Sequence, residues 1–147
     1  MPKIDLDALT ADNKTGYPPP HNEQVQGRWK KRLGPVTGMG LLGATHCVLK
    51  PGAWSSHRHW HDTEDEFLVM LDGEAMLIED GGETILRSGD MAAWPAGVRN
   101  GHHVVNRSDA DCSFVCFSAG TVTSGGYSDI DMIFTDKGFF RKDGSPF

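Results

Sequence analysis

Cysteine is scarce in this chain. Among 147 residues there are three, Cys47, Cys112 and Cys116, an odd number with no repeated spacing. That excludes a disulfide framework and fits free thiols in a reducing compartment. Cys112 and Cys116 lie in the apolar stretch CSFVCFSAG and read as small core residues. Long hydrophobic runs are also missing. No stretch approaches the roughly 20 apolar residues of a membrane-spanning helix. The opening residues, MPKIDLDALTADNKTG, hold no apolar segment of the kind a secretory leader carries. The expectation is a cytoplasmic protein without a membrane partner. Excess positive charge is absent too: 14 Lys and Arg stand against 20 Asp and Glu, a net charge of −6. Such a balance repels phosphate backbones and argues against a nucleic-acid partner. No Ser-His-Asp arrangement, phosphate loop or dinucleotide fingerprint is present.

What is present is a β pattern. From residue 41 onward short apolar stretches (LLGATHCVL, EFLVML, EAMLIE, ETILR, MAAWP, HHVVN, CSFVCF, DMIF) alternate with glycine and proline turns. Asp80-Gly81-Gly82-Glu83 is a good hairpin turn between EAMLIE and ETILR. Many short strands with tight turns predict an all-β sandwich, jelly roll or barrel. Residues 1–24 are polar, end in Tyr17-Pro18-Pro19-Pro20, and read as an extended arm; residues 25–147 read as one barrel domain. In GRWKKRLG, Arg28, Lys30 and Arg32 alternate with Trp29, Lys31 and Leu33. The favoured reading is a solvated edge strand whose charges block aggregation, with an anchor for an anionic substrate as the other. In EFLVML both faces are apolar, so the second must be covered by another layer, a second sheet or a second subunit. A homodimer follows from the latter.

Histidine carries most of the functional information. Five of seven histidines fall in two clusters, His57, His59 and His61, then His102 and His103. Residues two apart in a strand point to the same side, so the first three can project into one interior. Buried imidazoles need partners, and a metal satisfies them. Two frames of the spacing His-x-His-x4-Glu fit: His59, His61 and Glu66, or His57, His59 and Glu64. Periodicity cannot separate them; Gly73, separated from Glu66 by six residues and closing the next turn, favours the first.

Taken together, these residues resemble the cupin family. His59-x-His61-x4-Glu66-x6-Gly73 matches its first motif, with Gly52 one residue early as the leading glycine. Gly89-x5-Pro95-x-Gly97 and His102-x3-Asn106 match its second, with four residues, Val98-Arg99-Asn100-Gly101, where the family has two. The spacing to Asn106 favours His102 over its rival His103. The segments RHWH, EDEF, PAGVRNGHH and DGSPF resemble a bacterial group of small single-domain, RmlC-like cupins, some of them provisional sugar-phosphate isomerases. The resemblance implies a jelly-roll barrel (double-stranded β-helix) and one divalent metal ion, Fe, Mn, Zn or Ni, held by His59, His61, Glu66 and His102. It implies a metal-dependent enzyme, an isomerase, oxygenase or lyase, acting on a small polar or anionic molecule. The alternative is a non-catalytic cupin that binds a sugar or other small ligand. Arg99, in the extra loop, His57 and Trp94 are the candidate substrate-binding residues, Arg99 because a guanidinium clamps carboxylates and phosphates.

Overall fold

The computed structural model describes residues 3–147. The strands are β1 (Arg28–Arg32), β2 (Gly43–Leu49), β3 (His59–His61), β4 (Glu64–Asp72), β5 (Glu74–Glu79) and β6 (Gly82–Arg87), then β7 (Met91–Trp94), β8 (His103–Val105), β9 (Cys112–Gly120), β10 (Gly125–Tyr127), β11 (Ile133–Thr135) and β12 (Gly138–Phe140); a single helical turn, α1 (Gly34–Thr37), follows β1. Every ladder is antiparallel. One wall of the barrel is a five-stranded sheet in the order β1-β2-β9-β4-β7. The other wall is split into β6-β5-β8 and β12-β11-β10-β3. A single bridge pairs His59 of β3 with His102, just before β8, and another pairs Trp54 with Val105 of β8. This is the jelly-roll barrel expected from the sequence, and among the described residues no helix is long and apolar enough to cross a membrane.

The register of the large sheet sets what lies inside. Arg28 pairs with Leu49 and Lys30 with Cys47; Cys47 pairs with Phe114 and Thr45 with Cys116; Cys116 pairs with Leu68 and Ser118 with Glu66; Glu66 pairs with Trp94. Directly opposed residues share a face, so this row points inward as one set. Its apolar members, with Ala75, Leu77, Leu86 and Val104 from the facing sheet, form the main core. The far side of the same sheet carries Trp29, Phe67 and Met91, all exposed.

Gly73 joins β4 to β5 at φ 72°, and a Cβ there would stand 2.9 Å from Asp111 O and from Cys112 Cβ. Only glycine supplies that conformation at that closeness, which is why the frame containing Glu66 ends on this residue.

The arm is not loose. Asp12 exchanges backbone hydrogen bonds with Lys30 (2.8 and 3.0 Å), and Lys31 Nζ donates to Leu6 O at 2.8 Å. These bonds cover the free edge of β1, a standard protection for an exposed strand. Tyr17 is buried with Val25, Tyr127, Met132 and Phe134 in a second, smaller core.

Candidate metal centre

Strand alternation delivers the central residues. His59 and His61 are two apart on β3, and Glu66 lies on the inward row of β4. His102 reaches them by backbone pairing: His59 N donates to His102 O at 3.1 Å and His102 N to His59 O at 3.0 Å. Two residues that exchange bonds this way present their side chains to one face, and their chain neighbours face away. The imidazoles then converge on one carboxylate oxygen. Glu66 Oε2 lies 3.1 Å from His102 Nε2, 3.2 Å from His61 Nε2 and 3.8 Å from His59 Nε2. His59, His61 and Glu66 offer ligand atoms all within 4.8 Å of one another, and His102 joins them through the same Glu66 oxygen.

The other ring nitrogens are all engaged. His59 Nδ1 is 3.1 Å from His57 O and 3.2 Å from Ser56 Oγ; His61 Nδ1 is 3.2 Å from Glu64 Oε2; His102 Nδ1 is 3.3 Å from Asn100 O. A ring that donates through Nδ1 to a carbonyl or carboxylate presents a bare lone pair at Nε2. Three such lone pairs facing one carboxylate oxygen have too few protons among them, and a cation satisfies all four. Carbonyl or carboxylate support behind each ring is the usual setting of a metal-ligating histidine. The donor set fits a divalent ion accepting imidazole and carboxylate.

Without an ion, protons take its place beside the carboxylate. Burial pushes His59 down to about 4, so its ring is neutral at pH 7. Burial also works against a charged His61, but the Glu66 and Glu64 carboxylates outweigh it and raise its pKa. On Glu66, burial alone would raise the carboxyl. Hydrogen bonds from His102 and His61 outweigh it and hold the group well below the usual carboxylate range. Cys116 Sγ donates to the second Glu66 oxygen, Oε1, at 2.8 Å, and burial, then that carboxylate, keeps the thiol protonated.

The cluster opens on a cavity of about 240 Å³ whose wall includes Tyr17, Arg28, Lys30, Cys47, Trp94 and Cys116. Trp94 stacks on His102 with ring centroids 3.9 Å apart and 6° between planes, and its Nε1 donates to Glu79 Oε1 at 2.8 Å. Asn100 Nδ2 donates to the same oxygen at 3.1 Å, while Asn100 Oδ1 accepts from Asp80 N at 3.0 Å. Those bonds tie down the extra loop, and His102 keeps its backbone pairing with His59.

Of the residues expected from sequence, His59, His61, Glu66, His102 and Trp94 are brought together. His57 and His103 are not. His57 Nε2 lies 2.8 Å from His21 O and His103 Nδ1 lies 2.8 Å from Ser56 O. Both rings pack against Trp54, and His103 lines the cavity without joining the cluster. Glu64 stands behind His61. Arg99 is exposed, with its guanidinium 5.9 Å from the Trp60 ring centroid, and takes no part in the cavity wall.

Three contributors were missed. The basic face of β1 is not the solvated edge favoured from the sequence: Arg28 and Lys30 belong to the cavity wall. Cys116 is a partner of Glu66 as well as a core residue, and Tyr17 reaches the cavity from the arm. The signal for Arg28 and Lys30 was their period-two spacing, which places them on one face without saying which. Cys116 and Tyr17 carried none.

Comparison with known proteins agrees with the geometry. The family model of the cupin domain matches residues 45–118, and the chain belongs to the cupin superfamily. It is similar to a crystal structure of a cupin-superfamily sugar phosphate isomerase from Silicibacter pomeroyi DSS-3, with 41% identity, TM-score 0.94, and coverage of 99% of this chain and 96% of that one. A candidate sugar phosphate isomerase from Acidithiobacillus ferrooxidans is 20% identical over 74% of this chain and 69% of that one, at TM-score 0.69. A Cupin 2 conserved barrel domain protein from Salinispora arenicola is 24% identical over 82% and 88%, at TM-score 0.59. The last two show the shared fold. No curated protein matches the chain.

Proposed function

We propose that this protein is a metal-dependent enzyme acting on a small polar or anionic molecule, with His59, His61, Glu66 and His102 holding one divalent ion, Fe, Mn, Zn or Ni. The observation that carries this is the convergence of three Nε2 atoms on one Glu66 oxygen while all three Nδ1 atoms are engaged elsewhere. When bound, the ion would supply Lewis acidity toward a substrate carbonyl or hydroxyl. The chain's own residues do the rest. Glu64, His57 O and Asn100 O fix the orientation of the rings. Cys116 holds one Glu66 oxygen so that the other faces the histidines. Trp94 braces His102 and walls the cavity. Among the candidate chemistries, isomerisation of a sugar phosphate is favoured by the name of the Silicibacter protein, given the identity over nearly the whole of both chains.

The test is metal analysis of untagged protein, then reconstitution with Fe, Mn, Zn and Ni and turnover of aldose and ketose phosphates followed by NMR. Near-stoichiometric metal with interconversion supports the reading. Metal that stays substoichiometric after every reconstitution overturns it. Full metal with ligand binding and no turnover points to the non-catalytic sugar-binding cupin.

Three further readings belong here. We propose a homodimer formed through the uncovered face of the large sheet, supported by Trp29, Phe67 and Met91 at 39%, 39% and 62% exposure on its outer side; light scattering at the monomer mass would overturn it. The free thiols of Cys47, Cys112 and Cys116 support a cytoplasmic location. Residues 25–147 are proposed as one barrel unit and 1–24 as an arm that walls its cavity through Tyr17.

A further inference from the structure

We propose that Arg28 and Lys30 form an oxyanion anchor, which grips the phosphate or carboxylate of a small ligand while the other end of that ligand meets the histidine cluster. The anchor stands on its own observations; only what happens at the far end rests on the metal-dependent reading.

The residues are two apart on β1 and opposite Leu49 and Cys47, both buried inside the barrel. Both line the same cavity as His59, Glu66 and His102. A lysine and an arginine on the inner face of a barrel strand invert the ordinary rule, and buried cations are costly unless paired. Among the described residues neither makes an ion pair. Arg28 Nη1 donates to Ser55 O, but its Nε is buried with no partner. Lys30 Nζ spends one proton on Lys14 O at 2.8 Å and has two left. Glu66 is the one carboxylate in the cavity wall, and His61, His102 and Cys116 already occupy it. Two half-buried cations therefore line a half-open cavity with no ion-pair partner among the described residues, and a divalent ion at the cluster would add to the imbalance. Burial, then the Arg28 and Arg32 charges, lowers the Lys30 pKa, as expected of cations sharing a site.

The distances suit a small molecule. Along the sheet order β1-β2-β9-β4, three strand spacings put the β1 and β4 backbones about 14 Å apart. Extended Arg and Lys side chains take up much of that span, and the cavity of about 240 Å³ is smaller than the roughly 300–1,000 Å³ of drug-sized sites. Guanidinium and ammonium donors are the groups that bind carboxylates and phosphates by charge-assisted hydrogen bonds.

Calorimetric titration with inorganic phosphate and with acetate tests the anchor, on metal-loaded protein and on protein kept metal-free with chelator. The variants are Arg28→Gln and Lys30→Gln, with Arg28→Lys as a charge-preserving control, each checked for metal content and circular dichroism. The expectation is saturable binding of at least one anion in both metal states. Each Gln variant weakens it at least about tenfold, Arg28→Lys retains part of it, and metal content is unchanged. The preferred anion identifies the ligand as phosphomonoester or carboxylate. Should Arg28→Gln fail to fold, Lys30→Gln alone decides. Binding that is absent from wild type, or unchanged in a folded Gln variant, overturns the anchor. Anion binding lost with the metal but insensitive to the variants also overturns it and leaves the metal centre standing. Variant-sensitive anion binding in a protein that loads no metal supports the anchor and removes the metal centre.

Discussion

The two glutamates of the first motif give the sharpest test of the metal frame. Glu66 Oε2 is the oxygen approached by three Nε2 atoms at 3.1, 3.2 and 3.8 Å, whereas Glu64 Oε2 touches only His61 Nδ1, at 3.2 Å. Glu66→Gln keeps the side chain's shape and removes a charge at the point of convergence. At an effective permittivity of 20, two unit charges about 4 Å apart interact by about 4 kcal/mol, and a divalent ion doubles that. If desolvation cancels half, about 4 kcal/mol remains, or about a thousandfold in Kd. Glu64→Gln leaves an acceptor behind His61 and removes only its charge. Loss of support behind a ligating histidine costs about 10–100-fold, and a retained acceptor places this variant near ten. The assay is competition for Zn(II) against a chromophoric chelator at fixed pH. The expected order is wild type, then Glu64→Gln about one decade weaker, then Glu66→Gln about three decades weaker. In the competing frame, with His57, His59 and Glu64 as ligands, the order of the variants reverses. That reversal, or a Glu66→Gln protein within tenfold of wild type, would refute the assignment.

Other outcomes follow from the same geometry. His57→Gln should keep full metal stoichiometry by elemental analysis, because the His57 ring faces His21, Tyr17 and Trp54; metal loss would favour the other frame. Gly73→Ala should cost about 2–5 kcal/mol in urea unfolding, from a side chain forced to φ 72° and from its clash with Asp111 O and Cys112; a loss below about 1 kcal/mol would contradict that account. His103 supplies a pH test in chelated protein. Burial lowers its folded pKa, so the unfolded chain, with an imidazole near 6.5, binds the proton more readily. The contribution of neutral His103 to stability is therefore full above about pH 6.5 and is lost as pH falls through the folded pKa. The stability gap between wild type and His103→Gln should shrink between pH 7 and pH 5, and parallel unfolding curves would count against it.

Much of the candidate site was legible because strand geometry has a fixed period. His59 and His61 share a face whatever the fold around them, and Gly73 marks the end of β4 by a conformation that other residues rarely adopt. The choice between His102 and His103 was harder, since a loop of free length precedes them. What brings His102 to the cluster is the pair of reciprocal backbone bonds with His59, a contact 43 residues apart in sequence that no local pattern encodes. Arg99 attracted attention through its charge and its position near His102. A loop residue, however, has no strand period to aim it, and this one points outward to Trp60.

The β1 strand shows why the remainder was not legible. Alternation in RWKKR divides its residues into two faces, but the inward face is chosen by pairing with β2, where Arg28 meets Leu49 and Lys30 meets Cys47, 21 and 17 residues further along the chain. The usual assumption, apolar side in and charged side out, gives the wrong answer here, with Trp29 outside and Arg28 and Lys30 inside. That assumption holds where the interior is a packed core, because a charge there has nothing to meet. It fails where the interior is a cavity that a charged ligand can enter. A strand whose polarity is reversed relative to its burial thus marks a ligand site, and it does so only once the register is known. On this chain the reversal falls on the edge strand of the sheet that also carries Glu66, so the residues least expected inside the barrel line the same cavity as the histidine cluster.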